Sequence, residues 1–312
     1  MTPVRLAERI PMQKISYTVI KKMIDSKLSS LEIDFILYIG RFQDNSGTAS
    51  GIFYKDTCQE LGCSYQHFYN ILRHLEQLSI IEAVRCGNDY DVKLLDNCFE
   101  DGEDYKKGYV SLSHGLFSPA FRKLKAGEKL LAIELFRRQD AHFHRTRKLS
   151  LCFFTKTLKE SFCALLRVTK RVLLGYLKTL KEYFSIGVKD GKVYITAKKC
   201  AYSKREDHKT DPELYNEHEI RVICRRNRID PEAYDANAAA DTAKLYAQYA
   251  EQAVRAGMDI REAVRECILR SVDKKERTFR AKERRLEPKL VHKLLKLRIL
   301  PNIPESQTEY DF

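Results

Sequence analysis

The chain has 312 residues, with 56 Lys and Arg against 43 Asp and Glu, a formal net charge of +13 and a pI near 9.2. That length suffices for two or three small domains, and the basic excess favours a polyanionic partner, nucleic acid before an anionic membrane surface. Nine scattered cysteines without a CxxC pair read as reduced thiols and not as a disulfide framework or zinc site. No run of ~18 apolar residues indicates a membrane span, and the opening MTPVRLAERIPMQ, which contains Glu8 and no apolar run, does not read as a secretory signal. The expectation is a cytoplasmic protein associated with a nucleoid or plasmid.

Residues 1–27 read as a basic lead-in. A first module is expected over 28–104. Ser29 and Glu32 have capping-box spacing, and Leu31, Phe35, Tyr38 and Ile39 follow with helical spacing. Turn formers over Gln43–Gly51 end that helix. Ile52 and Phe53 are briefly extended. Lys55–Leu61 reads as a second helix stopped by Gly62, and Ser64 caps a third through Leu78. Ile80–Arg85 and Tyr90–Leu95 read as strands joined by CGND, a hairpin. Phe68, Leu72 and Leu75 form one apolar stripe on the third helix, so its opposite face points outward.

The same grammar returns over 105–200. LGCSYQHFYNILRHLEQLSII (Leu61–Ile81) lies on LRVTKRVLLGYLKTLKEYFSI (Leu166–Ile186) without a gap. Tyr109–Ser113 reads as a leading strand, Ala126–Arg138 as an amphipathic helix and Leu149–Phe154 as a strand. Thr155 caps a helix to about Leu165, roughly one turn longer than its counterpart. Thr169 caps the third helix, and Ile186–Thr196 is a hairpin with Asp190–Gly191 at its tip. Residues 201–212 read as a linker. Helices follow near Glu213–Arg228, Pro231–Ala256 and Ile260–Val272, then a basic helical stretch over Lys274–Arg298 interrupted at Pro288. Together 213–300 form a helical domain, and 301–312 read as a disordered tail. The expected fold class is mainly α with small β wings: two tandem winged-helix (helix-turn-helix) domains plus a C-terminal helical region.

Charge is uneven. Residues 28–100 hold 5 Lys/Arg against 11 Asp/Glu, whereas 141–209 hold 17 against 5. Residues 210–260 hold 6 against 10, and 261–298 hold 14 against 6. The second module is therefore expected to contact double-stranded DNA. A helix-turn-helix lays its third helix in the major groove with its N-terminal side chains on base edges. Around the Thr169 cap, Arg167, Lys170, Arg171 and Lys178 face away from the apolar stripe; Arg171 suits guanine, and the lysines suit phosphate. Gly175 leaves room for close approach. Lys189 and Lys192 flank the wing tip, and Arg145, Arg147 and Lys148 precede the strand that supports it, extending the same footprint.

In the first module, Ser64, Gln66, Asn70 and Arg73 are the corresponding set. Gln and Asn match adenine and Arg matches guanine, yet the acidic balance opposes approach to phosphate. The module either reads bases with its neighbour supplying attraction or binds protein, and the charge favours the second. The amphipathic stretch at 289–298 fits DNA, an acidic partner or an anionic membrane surface.

His142-Phe143-His144 has the His-apolar-His form of rolling-circle nicking enzymes, with Tyr17 and Lys21 as a Tyr-x-x-x-Lys pair. The histidines fall between a helix and a strand with no acidic third ligand nearby, so basic-surface histidines are the simpler reading. No catalytic residue, metal or cofactor is expected, and no GxxxxGK[ST] phosphate loop occurs.

Two tandem winged helices followed by a helical tail resemble the replication initiators of plasmids and other mobile elements. They are also similar in plan to primosomal replication proteins of low-GC Gram-positive bacteria and their phages. The resemblance covers roughly residues 28–200. It implies one winged helix for dimerisation and one for repeated origin sequences, hence a homodimer working with other replication proteins. A transcriptional regulator on the same scaffold is the alternative, and a metal-dependent nicking enzyme the remote one.

Overall fold

The computed structural model describes residues 13–100, 106, 108–112, 114–148, 150–202, 211–233, 235–278 and 284–302. Among the described residues the chain is mainly helical with three small sheets, and it divides into two compact units, the larger formed by residues 10–85 and 89–208 and the smaller chiefly by residues from 209 onward. Among the described residues no helix is long and apolar enough to cross a membrane.

The larger unit begins with a correction. From Lys14 the expected basic lead-in is a strand, β1 (Lys14–Ser16), and a helix, α1 (Tyr17–Asp25), both part of the core. The Ser16 hydroxyl caps α1 by accepting from Val19 N at 3.3 Å. Val19, Ile20, Met23 and Ile24 share one helical face and are buried, while Lys21 and Lys27 stay outside. Residues 1–12 of that stretch lie outside the described residues.

Next come α2 (Ser30–Phe42), β2 (Thr48–Ile52), α3 (Tyr54–Leu61), α4 (Tyr65–Gln77), β3 (Ile81–Cys86) and β4 (Asp89–Leu94). The Ser29–Glu32 capping box forms, Gly62 ends α3 in the left-handed region (φ 66°), and Ser64 caps α4. Phe68, Leu72 and Leu75 are buried, as their spacing requires. The sheet runs β2-β4-β3.

The second copy holds β5 (Tyr109–Ser111), short helical turns at His114–Phe117 and Pro119–Arg122, α5 (Ala126–Thr146), β6 (Ser150–Phe154), α6 (Thr155–Leu166), α7 (Lys170–Thr179), β7 (Phe184–Lys189) and β8 (Lys192–Ala197). Its sheet runs β6-β8-β7, the same first, last, middle order as the first copy. Leu173, Leu177 and Leu180 supply the buried stripe. Two local expectations change. Helix α5 runs to Thr146, beyond the Arg138 end expected, so His142 and His144 are helical residues. Thr155 is the first residue of α6 and not its cap; its hydroxyl donates to Gly191 O at 2.8 Å.

Both copies share one continuous core. Their junction is reciprocal, as in an isologous dimer. Strands β1 and β5, each leading its own copy, pair antiparallel with Ile15 opposite Val110. Arg41 of α2 lies 4.5 Å from the Phe117 ring of the second copy, and Arg137 of α5 lies 4.3 Å from the Tyr17 ring of the first. Between α2 and α5 the Lys129 ammonium sits 2.6 Å from both Asp34 carboxylate oxygens and donates to Ser30 O at 3.2 Å. Both side chains are buried. Burial pushes the Asp34 carboxyl up and the Lys129 ammonium down, against their mutual attraction.

The smaller unit packs α8 (Asp211–Arg226), α9 (Ala238–Arg255), α10 (Ile260–Thr278) and α11 (Pro288–Ile299) around Ile220, Cys224, Val264, Ile268 and Leu295. The helix expected from Pro231 starts only at Ala238. The preceding backbone is committed elsewhere: Asp230 N donates to Arg284 O at 2.8 Å and Leu286 N donates to Asp230 O at 3.0 Å. Pro288, read as an interruption, is the first residue of α11, where its missing N–H costs nothing. The expected linker falls outside the described residues over 203–210, and the expected tail does so over 303–312.

Candidate nucleic-acid interface

The face of α7 follows from its core stripe. With Leu173 and Leu177 inside, Lys170, Arg171, Leu174, Gly175 and Lys178 are exposed. Among the described residues no carboxylate pairs with Lys170, Arg171 or Lys178. Three unpaired cations on one short helix repel one another, and a polyanion relieves that repulsion. A methyl group added at Gly175 would meet nothing within 4 Å, so the middle of the face is open. Thr169 is tied to folding: its hydroxyl caps α7 by accepting from Val172 N at 3.4 Å.

Strands β7 and β8 form the hairpin expected as a wing, with Lys189 opposite Lys192 and the Asp190–Gly191 turn beyond them. Asp190 and Gly191 both take positive φ, the geometry this two-residue turn requires. The Lys192 ammonium rests 5.3 Å from the Phe154 ring. Thr155, through Gly191 O, fastens the wing tip to the start of α6. Exposed Lys156 therefore starts α6 beside the wing tip, a residue that sequence reasoning missed; its place follows only from the Thr155–Gly191 contact. Arg167 closes α6 in the left-handed region (φ 53°) and pairs with Asp25 of α1 at 3.1 Å. Both partners are about half exposed, so the pair is weak and the guanidinium can exchange partners.

Arg145, Arg147 and Lys148 are exposed and lie away from the hairpin tip. The end of α7 is fastened to the start of α5, where the Thr179 hydroxyl donates to Glu128 Oε1 at 3.1 Å. There Gly127 lies against Tyr176 so closely that a Cβ would come within 2.5 Å of its hydroxyl. Arg145 lies about 27 Å further along α5. Likewise Ser150 pairs with Thr196 while Phe154 pairs with Lys192, which puts the Lys148 end of β6 about 13 Å from the wing tip. Arg145 instead lines a cleft of about 510 Å³ with Arg137, Arg138, His142, Cys152 and Phe153. His144 Nε2 lies 3.5 Å from the Tyr109 hydroxyl, and the Tyr17 ring packs under Arg137. Among the described residues no group of three His, Cys, Asp or Glu is placed to hold a metal ion.

On the first copy, α4 presents Gln66, Asn70 and Arg73 outward, as its stripe dictates, but they are bonded to one another. The Gln66 amide donates to Asn70 Oδ1 at 3.0 Å, and Arg73 Nη2 donates to the same oxygen at 3.1 Å. Ser64 spends its hydroxyl on the cap, accepting from His67 N at 3.3 Å. Sequence reasoning placed Tyr65 near the cap but missed Tyr54 and Tyr69, which complete an aromatic surface alongside. Exposed Tyr65 and Tyr69 flank Tyr54, with ring centroids 4.9 and 6.3 Å from it. Burial, then Tyr90 and Tyr54, push the Tyr69 hydroxyl above its ordinary range. Tyrosine clusters of this kind suit protein contacts.

Comparison of the chain with models of known protein families, with curated proteins and with solved structures gives no match.

Proposed function

We propose that both halves of the larger unit are winged helices and that the chain is a sequence-specific double-stranded DNA-binding protein. In this reading the second copy lays α7 in a major groove, with Arg171 on a base edge and Lys170 and Lys178 on phosphates. Lys189 and Lys192 reach the adjoining backbone from the wing. The observation that carries the proposal is the α7 face, whose cations are exposed and unpaired and whose centre is open at Gly175. The shared order of helix, strand, two helices and hairpin, with the same strand order in both sheets, supports the winged-helix reading.

The first copy, acidic and with its polar face bonded to itself, is proposed as the interaction module, where a second chain or a replication protein docks on the tyrosine surface. The resemblance in layout to replication initiators supports a role in initiating or organising the replication of a plasmid, phage or other mobile element. The chain acts by occupying DNA, not by breaking its bonds.

Selection from a random duplex pool, followed by footprinting on the source replicon, tests the reading. Enrichment of one motif, repeated at the origin and needed for copying a minimal replicon, is the expected result. A pool that stays random after selection would sink it.

A further inference from the structure

The smaller unit carries a second group of cations that differs from everything around it. On α8, α9 and α10, several described cations pair with carboxylates. Arg221 pairs with Glu217 and Glu232, Lys244 with Asp241, Arg255 with Glu251, Arg261 with Glu219 and Arg265 with Glu262. On α11, Arg298 pairs with Glu266 of α10, but the lysines break that pattern. Lys289, Lys293 and Lys296 recur at steps of four and three residues, so they share one face, and all three are exposed. Among the described residues none has a carboxylate partner. Arg228 is likewise exposed and has no carboxylate partner among the described residues. Its turn is joined to the segment leading into α11: Arg284 Nη1 donates to Asn227 O at 3.1 Å, and the Asp230 backbone bonds to Arg284 and Leu286. Four charges without a carboxylate partner among the described residues thus gather on one part of the unit, while Arg221, Lys244, Arg255, Arg261 and Arg265 elsewhere in it are paired.

We infer that this face is a sequence-independent DNA backbone grip, separate from the α7 reader. The inference rests on the DNA-binding reading of the larger unit and adds a second contact to it. The lysine row spans about 10 Å, over which a duplex presents about six phosphate charges. Lysines are flexible point charges, suited to holding phosphate and not to discriminating bases. An anionic membrane would need the helix's apolar face, but Val291, Leu295 and Ile299 are fully buried in the unit's own core. Outward, α11 offers its lysine row, with Leu297 exposed beside it.

The test uses the full chain with Lys289, Lys293 and Lys296 all changed to Gln, and a second variant with all three changed to Arg. Anisotropy would follow binding to a random-sequence duplex, and to a duplex carrying the selected site, across a range of potassium chloride concentrations. For the Gln variant, the slope of log affinity against log salt should shrink by roughly 0.9 per lysine on both duplexes, leaving the ratio of the two affinities unchanged. The Arg variant should restore the slope. A Gln variant with the parent slope would overturn the grip alone. A parent chain that binds neither duplex would overturn the grip together with the DNA-binding reading. Loss of binding to phosphatidylserine vesicles with DNA binding intact would show the face to be a membrane contact and overturn the inference.

Discussion

The two copies in the larger unit fold alike and face outward differently. Aligned on their third helices, Tyr65 stands where Lys170 stands, Gln66 where Arg171, Asn70 where Gly175 and Arg73 where Lys178. Inside, Phe68, Leu72 and Leu75 match Leu173, Leu177 and Leu180, and all six are buried. The inward set specifies the same three-helix packing twice. The outward set separates the copies: one face is a self-bonded Gln–Asn–Arg network beside tyrosines, the other a row of unpaired cations with an open centre. A duplicated fold keeps its core and differs where the core makes no demand.

The largest effect is expected where the copies meet. Changing Asp34 or Lys129 alone to Ala leaves a buried partner unpaired and should cost ~3–5 kcal/mol in denaturant unfolding. Replacing both, with Asp34→Leu and Lys129→Met, should restore stability or exceed it, because burial opposes both ions. A double variant as unstable as either single would show that the pair stabilises the junction outright.

A smaller effect separates the two faces. Arg171→Gln should cost ~1–3 kcal/mol of discrimination at one base position, measured by competition between matched and mismatched duplexes. Arg73→Gln should leave that discrimination as it was. Equal losses from both would make the first copy a reader as well.

Gly175→Ala sharpens the contrast without threatening the fold. Helix propensity favours Ala by ~1 kcal/mol, and the new methyl meets nothing inside the chain. Thermal stability should hold or rise while duplex affinity falls. Affinity that rises with stability would mean that α7 does not approach DNA closely.

The smallest effect is a pH dependence at Glu32. Burial works to raise its carboxyl, but hydrogen bonds with His74 and Ser29 outweigh it and hold it below the ordinary range. A carboxyl depressed in the folded state adds stability above its unfolded value and loses it as pH falls through the folded one. The stability gap between the parent chain and Glu32→Gln, under about 1 kcal/mol for so exposed a partner as His74, should therefore be present at neutral pH and vanish in acid. A gap unchanged by acid would place its origin in packing.

Much of the fold was legible in the sequence because it rests on local signals. The Ser29–Glu32 box, the Ser64 and Thr169 caps, Gly62 and the Asp190–Gly191 tip all act within a few residues. Contacts between distant segments were not legible. Lys129 reads as a surface lysine until Asp34 is brought against it from 95 positions away. The lysines around α1 drew the stretch towards a basic lead-in, although Val19, Ile20, Met23 and Ile24 carried helical spacing. The outward set on α7 followed from the stripe, because a helix with one buried face leaves only one other. The position of Arg145, Arg147 and Lys148 did not, because the length of α5 decides which end of the module they occupy, and no end signal stood at Arg138.

The most direct test of the central claim compares two triple variants for binding to the selected duplex and to random duplex. Lys170→Gln, Arg171→Gln and Lys178→Gln together should abolish the preference for the selected site and flatten the salt dependence. Gln66→Ala, Asn70→Ala and Arg73→Ala together should leave both intact. If the α4 variant lost the preference while the α7 variant kept it, the roles of the two copies would be reversed and the account contradicted.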